Sequence, residues 1–279
     1  MDRRSPRRTP TRLRIALLAA LAALLCVVTQ AAAYTPAVPI AIRSDAEFTS
    51  ENGVLSGSGT PDDPFVISDL EIDASAVPYG ILVENTTAVF RIENCHILGA
   101  VSAALRLIAT QSASVVRCNF ESSDTAIQLL EVRGARITEN EIVGCKHAFL
   151  LQLASANEIA FNRASGGLLG IALESWSEEN VIRDNAFDCT VSLAITEDCD
   201  RNALYRNDFY STWLNCDAFA DWTSPEQEGN YWGGYQGEDA DGDGVGDTAY
   251  AIPGVARQRD SHPAISPYHP PAEEESAAE

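Results

Sequence analysis

The chain has 279 residues, 40 acidic and 19 basic, with a formal net charge of −21 at pH 7 and a pI near 4.4. So negative a surface repels polyanions, which argues against nucleic acid and anionic membrane surfaces as partners. The length suits one elongated domain.

Residues 1–33 have the make-up of a signal peptide. Arg3, Arg4, Arg7, Arg8, Arg12 and Arg14 form a basic start. Ile15 to Val28 is an apolar core too short to span a bilayer comfortably, and Ala31–Ala33 offers a small-residue cleavage site. Its removal leaves 246 residues with 13 basic and 39 acidic side chains, a net charge of −26, and Lys146 as the only lysine. No later segment is apolar enough to cross a membrane. Export is therefore expected, to a periplasm-type compartment, the cell surface or the extracellular space.

Residues 34–79 read as an N-terminal cap and first coil. Ser44-Asp45-Ala46-Glu47 is a capping box able to start one helical turn. The turn-rich Gly57–Pro64 leads into a first strand at Phe65-Val66-Ile67. The end coil of a solenoid exposes an unpaired edge and needs such a cover. Asn85-Thr86-Thr87 is a glycosylation sequon, open to use in an exported chain.

Residues 80–232 repeat. The pattern apolar-x-x-Asn-x-apolar occurs as Ile137–Ile142, Ile182–Phe187 and Leu204–Phe209, with a degenerate copy at Ile159–Ala164. Cys replaces Asn in Ile92–Ile97 and Val115–Phe120, and Asn230-Tyr231-Trp232 is a partial last copy. The shared column is Cys95, Cys118, Asn140, Asn162, Asn185, Asn207 and Asn230, at intervals of 23, 22, 22, 23, 22 and 23. A second column puts a small residue before an apolar run at Gly80, Ala104, Ala126, Ala148 and Gly170, at intervals of 24, 22, 22 and 22. Two columns in step define a solenoid. Each period holds short apolar bursts of period two, broken by Asn, Gly, Ser and Asp, which is strand and turn chemistry. A leucine-rich pattern is missing. The expected fold is all-β: a single-stranded right-handed parallel β-helix (β-solenoid) of about 7–8 coils, with Asn amides bonding up and down the stack from left-handed turn positions.

The column logic also predicts surface ion pairs between adjacent coils: Arg117 with Glu139, Glu141 with Arg163, Asp184 with Arg206. Exposed, each contributes only a few tenths of a kcal/mol. Cys95 and Cys118 fall about 5 Å apart on adjacent coils, within disulfide range, and stacked thiols are equally compatible with that spacing. The pairing of Cys145, Cys189, Cys199 and Cys216 cannot be read from sequence.

Residues 233–266 change character and read as a C-terminal cap. Asp239-Ala-Asp241-Gly-Asp243-Gly-Val245-Gly-Asp247 sets carboxylates at alternate positions with Gly where the loop must turn. Asp239, Asp241 and Asp243 match the first three ligands of a calcium loop, Val245 offers a backbone carbonyl, and Asp247 a direct or water-mediated ligand. Tyr250 stands where a bidentate Glu would complete the set, so the expected calcium site is structural and weak. Residues 267–279 are Pro- and Glu-rich and read as a disordered acidic tail.

Gly229-Asn-Tyr-Trp-Gly-Gly-Tyr235, the acidic loop, Thr248–Pro253 and Asp260-Ser-His-Pro263 resemble the C-terminal signature of NosD-like parallel β-helix proteins, an exported family abundant in archaea. Gly57–Asp73 and Gly80–Thr87 resemble the same family's first coils. The resemblance covers nearly all of residues 34–279 and implies the fold rather than an activity. The family's namesake is linked to copper delivery for nitrous oxide reductase. That role is not expected here, because copper favours Met, His and Cys ligands. The only Met is Met1, and His96, His147, His262 and His269 form no spaced cluster.

The expected function is a non-catalytic binding or structural module, with a polysaccharide or another envelope component as partner. The rival is a polysaccharide-active enzyme, a lyase, glycoside hydrolase or epimerase. In the second column Glu174 and Glu197 align on neighbouring coils with Asp198 beside them, and two carboxylates about 5 Å apart can act as an acid/base pair. Fold alone does not license that chemistry.

Overall fold

The computed structural model describes residues 34–270. The expected signal peptide and residues 271–279 of the expected tail lie outside the described residues. Each coil lays down three short strands, and each strand pairs in parallel with its counterpart on the next coil. Three sheets result. Face 1 has nine strands, beginning with Thr35–Ala37 and Leu70–Asp73 and ending with Tyr231–Trp232. Face 2 has eight, from Ile40–Ile42 and Tyr79–Thr86 to Leu214–Cys216, and face 3 has eight, from Phe65–Ser68 to Ala220–Asp221. The protein is a right-handed parallel β-helix of about eight turns. The only helical pieces among the described residues are two 3₁₀ turns, Asp45–Glu47 and Ser50–Asn52.

The interior is built from stacked columns. Inside face 1, register places Ile72, Ile97, Phe120, Ile142, Ala164, Phe187, Phe209 and Trp232 one above another. Towards the C-terminal end this column becomes an aromatic stack. Phe187 lies 5.6 Å from Phe209, Phe209 4.8 Å from Trp232, and Trp232 4.7 Å from Tyr250. The small-residue column of the sequence is explained by a corner. Two consecutive residues turn inward there, such as Ala126 and Ile127, both fully buried. A Cβ on Gly170 would stand 2.5 Å from the Ser192 carbonyl oxygen and 2.9 Å from Phe187, so that position has no room.

The Asn column forms one continuous ladder. Each Asn Oδ1 accepts the backbone N–H of the residue one coil earlier: Asn140 from Cys118 (2.9 Å), Asn162 from Asn140 (3.0 Å), Asn185 from Asn162 (3.0 Å), Asn207 from Asn185 (3.1 Å) and Asn230 from Asn207 (3.1 Å). Each Asn Nδ2 also donates to the next Oδ1, for example Asn162 to Asn185 at 2.9 Å. The ladder Asn are buried and do not themselves take left-handed geometry. The residue before each column position from Cys95 to Asn207 does: Asn94, Arg117, Glu139, Phe161, Asp184 and Arg206 all have φ between 49° and 59°. The tight turn thus falls on the neighbour, and the Asn side chain points inward to accept the backbone N–H of the coil before. Cys95 and Cys118 continue the column as stacked free thiols, with Cys95 N–H donating to Cys118 Sγ at 3.5 Å. All six described cysteines are buried and unpaired. A second ladder, Asn157, Asn180 and Asn202, runs along another corner on the same pattern.

Of the expected ion pairs, Arg117–Glu139 is present and exposed, at 3.8 Å. Asp184–Arg206 is closer, at 2.7 Å, and is not a surface pair, since the Asp184 side chain is 5% exposed. It belongs to a half-buried chain in which Arg183 bridges Glu158 and Asp184 while Arg206 also holds Glu228. Glu141 and Arg163 are register partners, but the Arg163 Nη1 donates instead to the Pro270 carbonyl at 3.2 Å.

At the N-terminal end the capping-box turn forms in part. Glu47 accepts the Arg43 N–H at 2.8 Å, while Ser44 makes no side-chain cap. Asp45 does more than the sequence suggests. Its carboxylate accepts from the Thr86 hydroxyl, the Thr87 N–H (3.0 Å) and the Thr87 hydroxyl (3.1 Å), fastening this segment to the corner after the second face-2 strand. The Thr86 hydrogen bond is the chief reason the Asp45 carboxyl is held below the usual range.

Candidate functional site

The C-terminal segment starts from the last coil, whose upper edge has no following coil to pair with. Asp260 takes the place of the next ladder Asn. Its carboxylate accepts the Asn230 N–H at 2.7 Å and the Trp232 indole N–H at 2.9 Å through one oxygen, and the His262 N–H at 3.0 Å through the other. Only glycine fits at 229, where a Cβ would lie 2.2 Å from the Asp260 carboxylate. Burial pushes the Asp260 carboxyl above the usual range, against donors that favour its charged form. Tyr250–Ala251 pairs antiparallel with Arg259–Asp260, and the Tyr250 ring closes the aromatic stack. That contact gives a physical reason why no Glu stands at 250: the position packs on Trp232 rather than facing the acidic loop.

The loop itself brings three of its expected ligands together. Carboxylate oxygens of Asp239, Asp241 and Asp243 lie within 4.8 Å of one another. The backbone curls around Asp239, whose oxygens accept from Gly242 N (2.7 Å), Asp243 N (3.1 Å) and Gly244 N (3.0 Å). Desolvation is the largest single influence on Asp239 and works against its ionisation, but those amides together outweigh it and hold its carboxyl below the usual range. Asp247 stands apart from the trio and accepts the Ala240 N–H at 2.8 Å. Val245 forms an antiparallel bridge with Ala264, and Ala264 pairs in parallel with Tyr231 of the last coil. The loop is therefore coupled to the end of the solenoid through one intervening strand-like segment.

The start of the expected tail is anchored. Tyr268 N and His269 N donate to Asp208 at 2.8 and 2.6 Å, and the Tyr210 hydroxyl donates to the His269 carbonyl at 2.7 Å. Residues 267–270 thus lie on the outer side of face 1, held by a buried carboxylate whose pKa burial pushes up to about 6.

The catalytic candidates Glu174 and Glu197 are not register partners. The register Leu173↔Ile195 puts Thr196, not Glu197, opposite Glu174, so the two glutamates are offset by one residue. The repeat along this face is 22 residues, as in the two preceding coils, whereas pairing Glu174 with Glu197 takes a spacing of 23. Glu174 accepts from Gln152 at 3.1 Å. Asp198 bonds the Thr196 hydroxyl at 2.7 Å, which holds its carboxyl below the usual range, opposite to what a general acid needs.

A groove that no motif signalled lies on face 1, with a volume of about 420 Å³, between Tyr34, His96, Asn119, Glu121, Glu141 and Val143. His96 sits between two carboxylates, Nδ1 at 3.6 Å from Glu71 and Nε2 at 3.2 Å from Glu121. Asn119 Nδ2 donates to the Tyr34 hydroxyl at 2.9 Å, and the Tyr34 ring leans on His96 at 5.7 Å. Desolvation raises the Glu141 pKa, with Arg163 opposing. Only the outward register Glu71↔His96↔Asn119↔Glu141 could have found this site, and it becomes visible once strand phase is known.

The fold and these sites define an exported-type parallel β-helix repeat protein. A sequence model of the family described as periplasmic copper-binding protein (NosD) matches residues 40–237, and the chain belongs to that family. No curated protein and no solved structure matches it significantly. Residues 40–237 span most of the cap, all the repeats and the Gly229–Tyr235 signature, and stop short of the acidic loop.

The family description invites a test against copper. Among the described residues, the only convergent group of three or more His, Cys, Asp or Glu ligand atoms is the aspartate trio. Carboxylates at that spacing suit a hard cation, whereas copper favours imidazole and sulfur. The thiols are in the core, and burial pushes Cys145, Cys189 and Cys216 up to about 11, away from the thiolate a metal requires. The residues present do not fit copper.

Proposed function

We propose that this chain is a non-catalytic β-helix binding module acting outside the cytoplasm, secreted or at the cell surface. Its ligand is a carbohydrate of the envelope or surroundings, and calcium in the Asp239–Asp247 loop stabilises it. The face-1 groove is the observation that carries the reading. An aromatic wall at Tyr34, an amide at Asn119 and carboxylates at Glu121 and Glu141 are the groups with which proteins grip sugar rings: apolar face on aromatic, hydroxyls on fixed polar atoms. The rigid parallel sheet beneath keeps these groups in register without paying ordering entropy on binding. An envelope protein is the alternative partner.

Catalysis on a polysaccharide is the second reading, and one observation favours it: desolvation raises the Glu141 pKa, and Glu121 lies one coil earlier and two residues along. Such diagonal neighbours have Cβ atoms about 7–8 Å apart, a spacing that leaves room for a water between two carboxyl groups. A glycan array with product analysis separates the readings. The expected result is binding without turnover, weakened at least tenfold by Tyr34→Ala or Asn119→Ala. Cleavage of a bound polymer would establish the enzyme, and absence of any glycan binding would transfer the case to an envelope protein.

A further inference from the structure

The three outer faces differ sharply in chemistry. The strands of face 1 carry six acidic side chains and one basic one: Glu71, Asp73, Glu121, Glu141, Asp188 and Asp208, with Arg163. Face 3 mixes Arg91, Glu93, Arg136, Glu158, Arg183 and Asp221. Face 2 has the longest strands, yet its only charged residues are Glu84, Arg106 and Glu174. Its outward positions mix aliphatic side chains with a few polar ones, and Leu82 and Ala172 among them are themselves buried. Register stacks Leu82, Arg106, Gln128, Leu150, Ala172 and Ala194 in the central outer column. Ile108 and Leu130 flank it on one side, in a column that goes on to Gln152 and Glu174, and Leu169 and Val191 on the other, after Thr125 and His147.

The rims of the same sheet continue the pattern. Val38, Val101, Leu168 and Trp213 lie one or two residues before face-2 strands, and Leu153 and Trp176 lie one or two residues after them. All six are exposed, Trp213 at 72% and Trp176 at 65%. More than half of the large hydrophobic side chains exposed among the described residues therefore ring one sheet. A single exposed Leu needs no explanation, but a contiguous apolar face with apolar edges marks an interface.

We propose that face 2 is the interface of a homodimer, in which two copies pack sheet on sheet. Two quantities select a second copy as occupant. The first is area. Eight strands at ~4.8 Å and strands of about six residues at ~3.3 Å give roughly 35 by 20 Å. With its rims, that approaches the ~800 Å² per partner of a standard interface. The second is charge. Two chains of net charge −26 (residues 34–279) repel wherever carboxylates meet, and face 2 is the one sheet free of an acidic column. A twofold axis along the strands, between the coils of Gln128 and Leu150, sets Leu82 against Ala194 of the second copy and Arg106 diagonal to its Glu174. Each contact then occurs twice, as an isologous interface requires. Face 1 and its groove stay open in that dimer, so the two sites are independent.

Sedimentation velocity of the full chain from about 1 to 100 µM tests this. The expected result is a monomer–dimer equilibrium that tightens several-fold from 50 mM to 1 M NaCl, because salt screens the repulsion and favours apolar burial. Leu130→Glu with Leu150→Glu should give a monomer. Gln128→Glu with Gln152→Glu, which adds charge without changing volume, should weaken the dimer at least tenfold and guards against a variant that fails to fold. Val143→Glu on face 1 should leave the dimer intact. A wild-type monomer at 100 µM, a dimer that survives both face-2 variants or loosens in high salt, or a monomer that instead pellets with phosphatidylcholine vesicles overturns the proposal.

Discussion

Replacing Asn185 by Ala tests whether the Asn ladder stabilises the solenoid. The Asn185 Oδ1 accepts the Asn162 N–H at 3.0 Å and the Asn162 Nδ2 at 2.9 Å. Its Nδ2 donates to the carbonyls of Ile159 and Arg183 and to Asn207 Oδ1, each at 2.9 Å. The residue is fully buried. Alanine removes five bonds and leaves the Asn162 N–H without its acceptor. A buried hydrogen bond contributes about 1 kcal/mol net, and an orphaned buried donor costs about 1–3 kcal/mol. Because neighbouring terms are not additive, the expected loss is about 3–5 kcal/mol. For a chain of this size each kcal/mol shifts Tm by about 2–4 °C, so a drop on the order of 10 °C should appear in calorimetry and urea titration. Asn185→Cys should fall between wild type and Ala. Cys95 and Cys118 occupy the same column, where Cys118 Sγ accepts the Cys95 N–H, and a thiol still donates weakly to carbonyls such as Glu93 O at 3.4 Å. Asn119→Ala, at the surface, is the control. If Asn185→Ala loses less than about 1 kcal/mol, or no more than Asn119→Ala, the ladder does not hold the coils together and the reasoning is refuted.

Four further outcomes follow from the same geometry. Millimolar Ca²⁺ should raise the melting temperature, by up to about 2.7 kcal/mol of stability at a hundredfold excess over Kd. Mg²⁺ should do less, and Asp241→Ala with Asp243→Ala should abolish the response; calorimetry without binding at millimolar metal would leave the loop a solvated acidic turn. Asp260→Ala should destabilise by about 2–5 kcal/mol, since the Asn230 and Trp232 donors lose a charged acceptor; a Trp fluorescence shift on unfolding at lower urea checks it. Asp208 has its folded pKa raised from 3.8 to about 6, so its contribution to stability is fully present below about pH 4 and is lost as pH rises through about 6. The difference in stability between wild type and Asp208→Asn should change over that window and be flat above pH 7. Glu174→Gln with Glu197→Gln should leave glycan binding and fold intact, because the register offsets the two residues by one position; a specific loss of a polymer-cleaving activity would reinstate them.

The sequence by itself determined the architecture. A stack of coils repeats the same environment every 22 or 23 residues, so the ladder from Cys95 to Asn230 is written in the chain as a period. The acidic loop was equally legible, because its aspartates are neighbours in sequence and their convergence needs only local turns. The second ladder carried the same signal at 157, 180 and 202 and was simply weaker, having three members.

What only the tertiary structure decided depends on phase rather than period. Which side chain of a strand points outward, and which residue of one coil lies over which of the next, shifts with a single residue inserted at a corner. Counting therefore aligned Glu174 with Glu197, while the hydrogen-bonded register aligns Glu174 with Thr196. The same phase creates the groove from Tyr34, His96, Asn119 and Glu141, spread over more than a hundred positions, and collects Leu82, Leu150 and Ala194 on one apolar face. It also brings Asp260 back over Asn230, thirty residues distant, to end the ladder. Such contacts follow from stacking at the inter-strand spacing, a property of the folded sheet that local sequence does not carry.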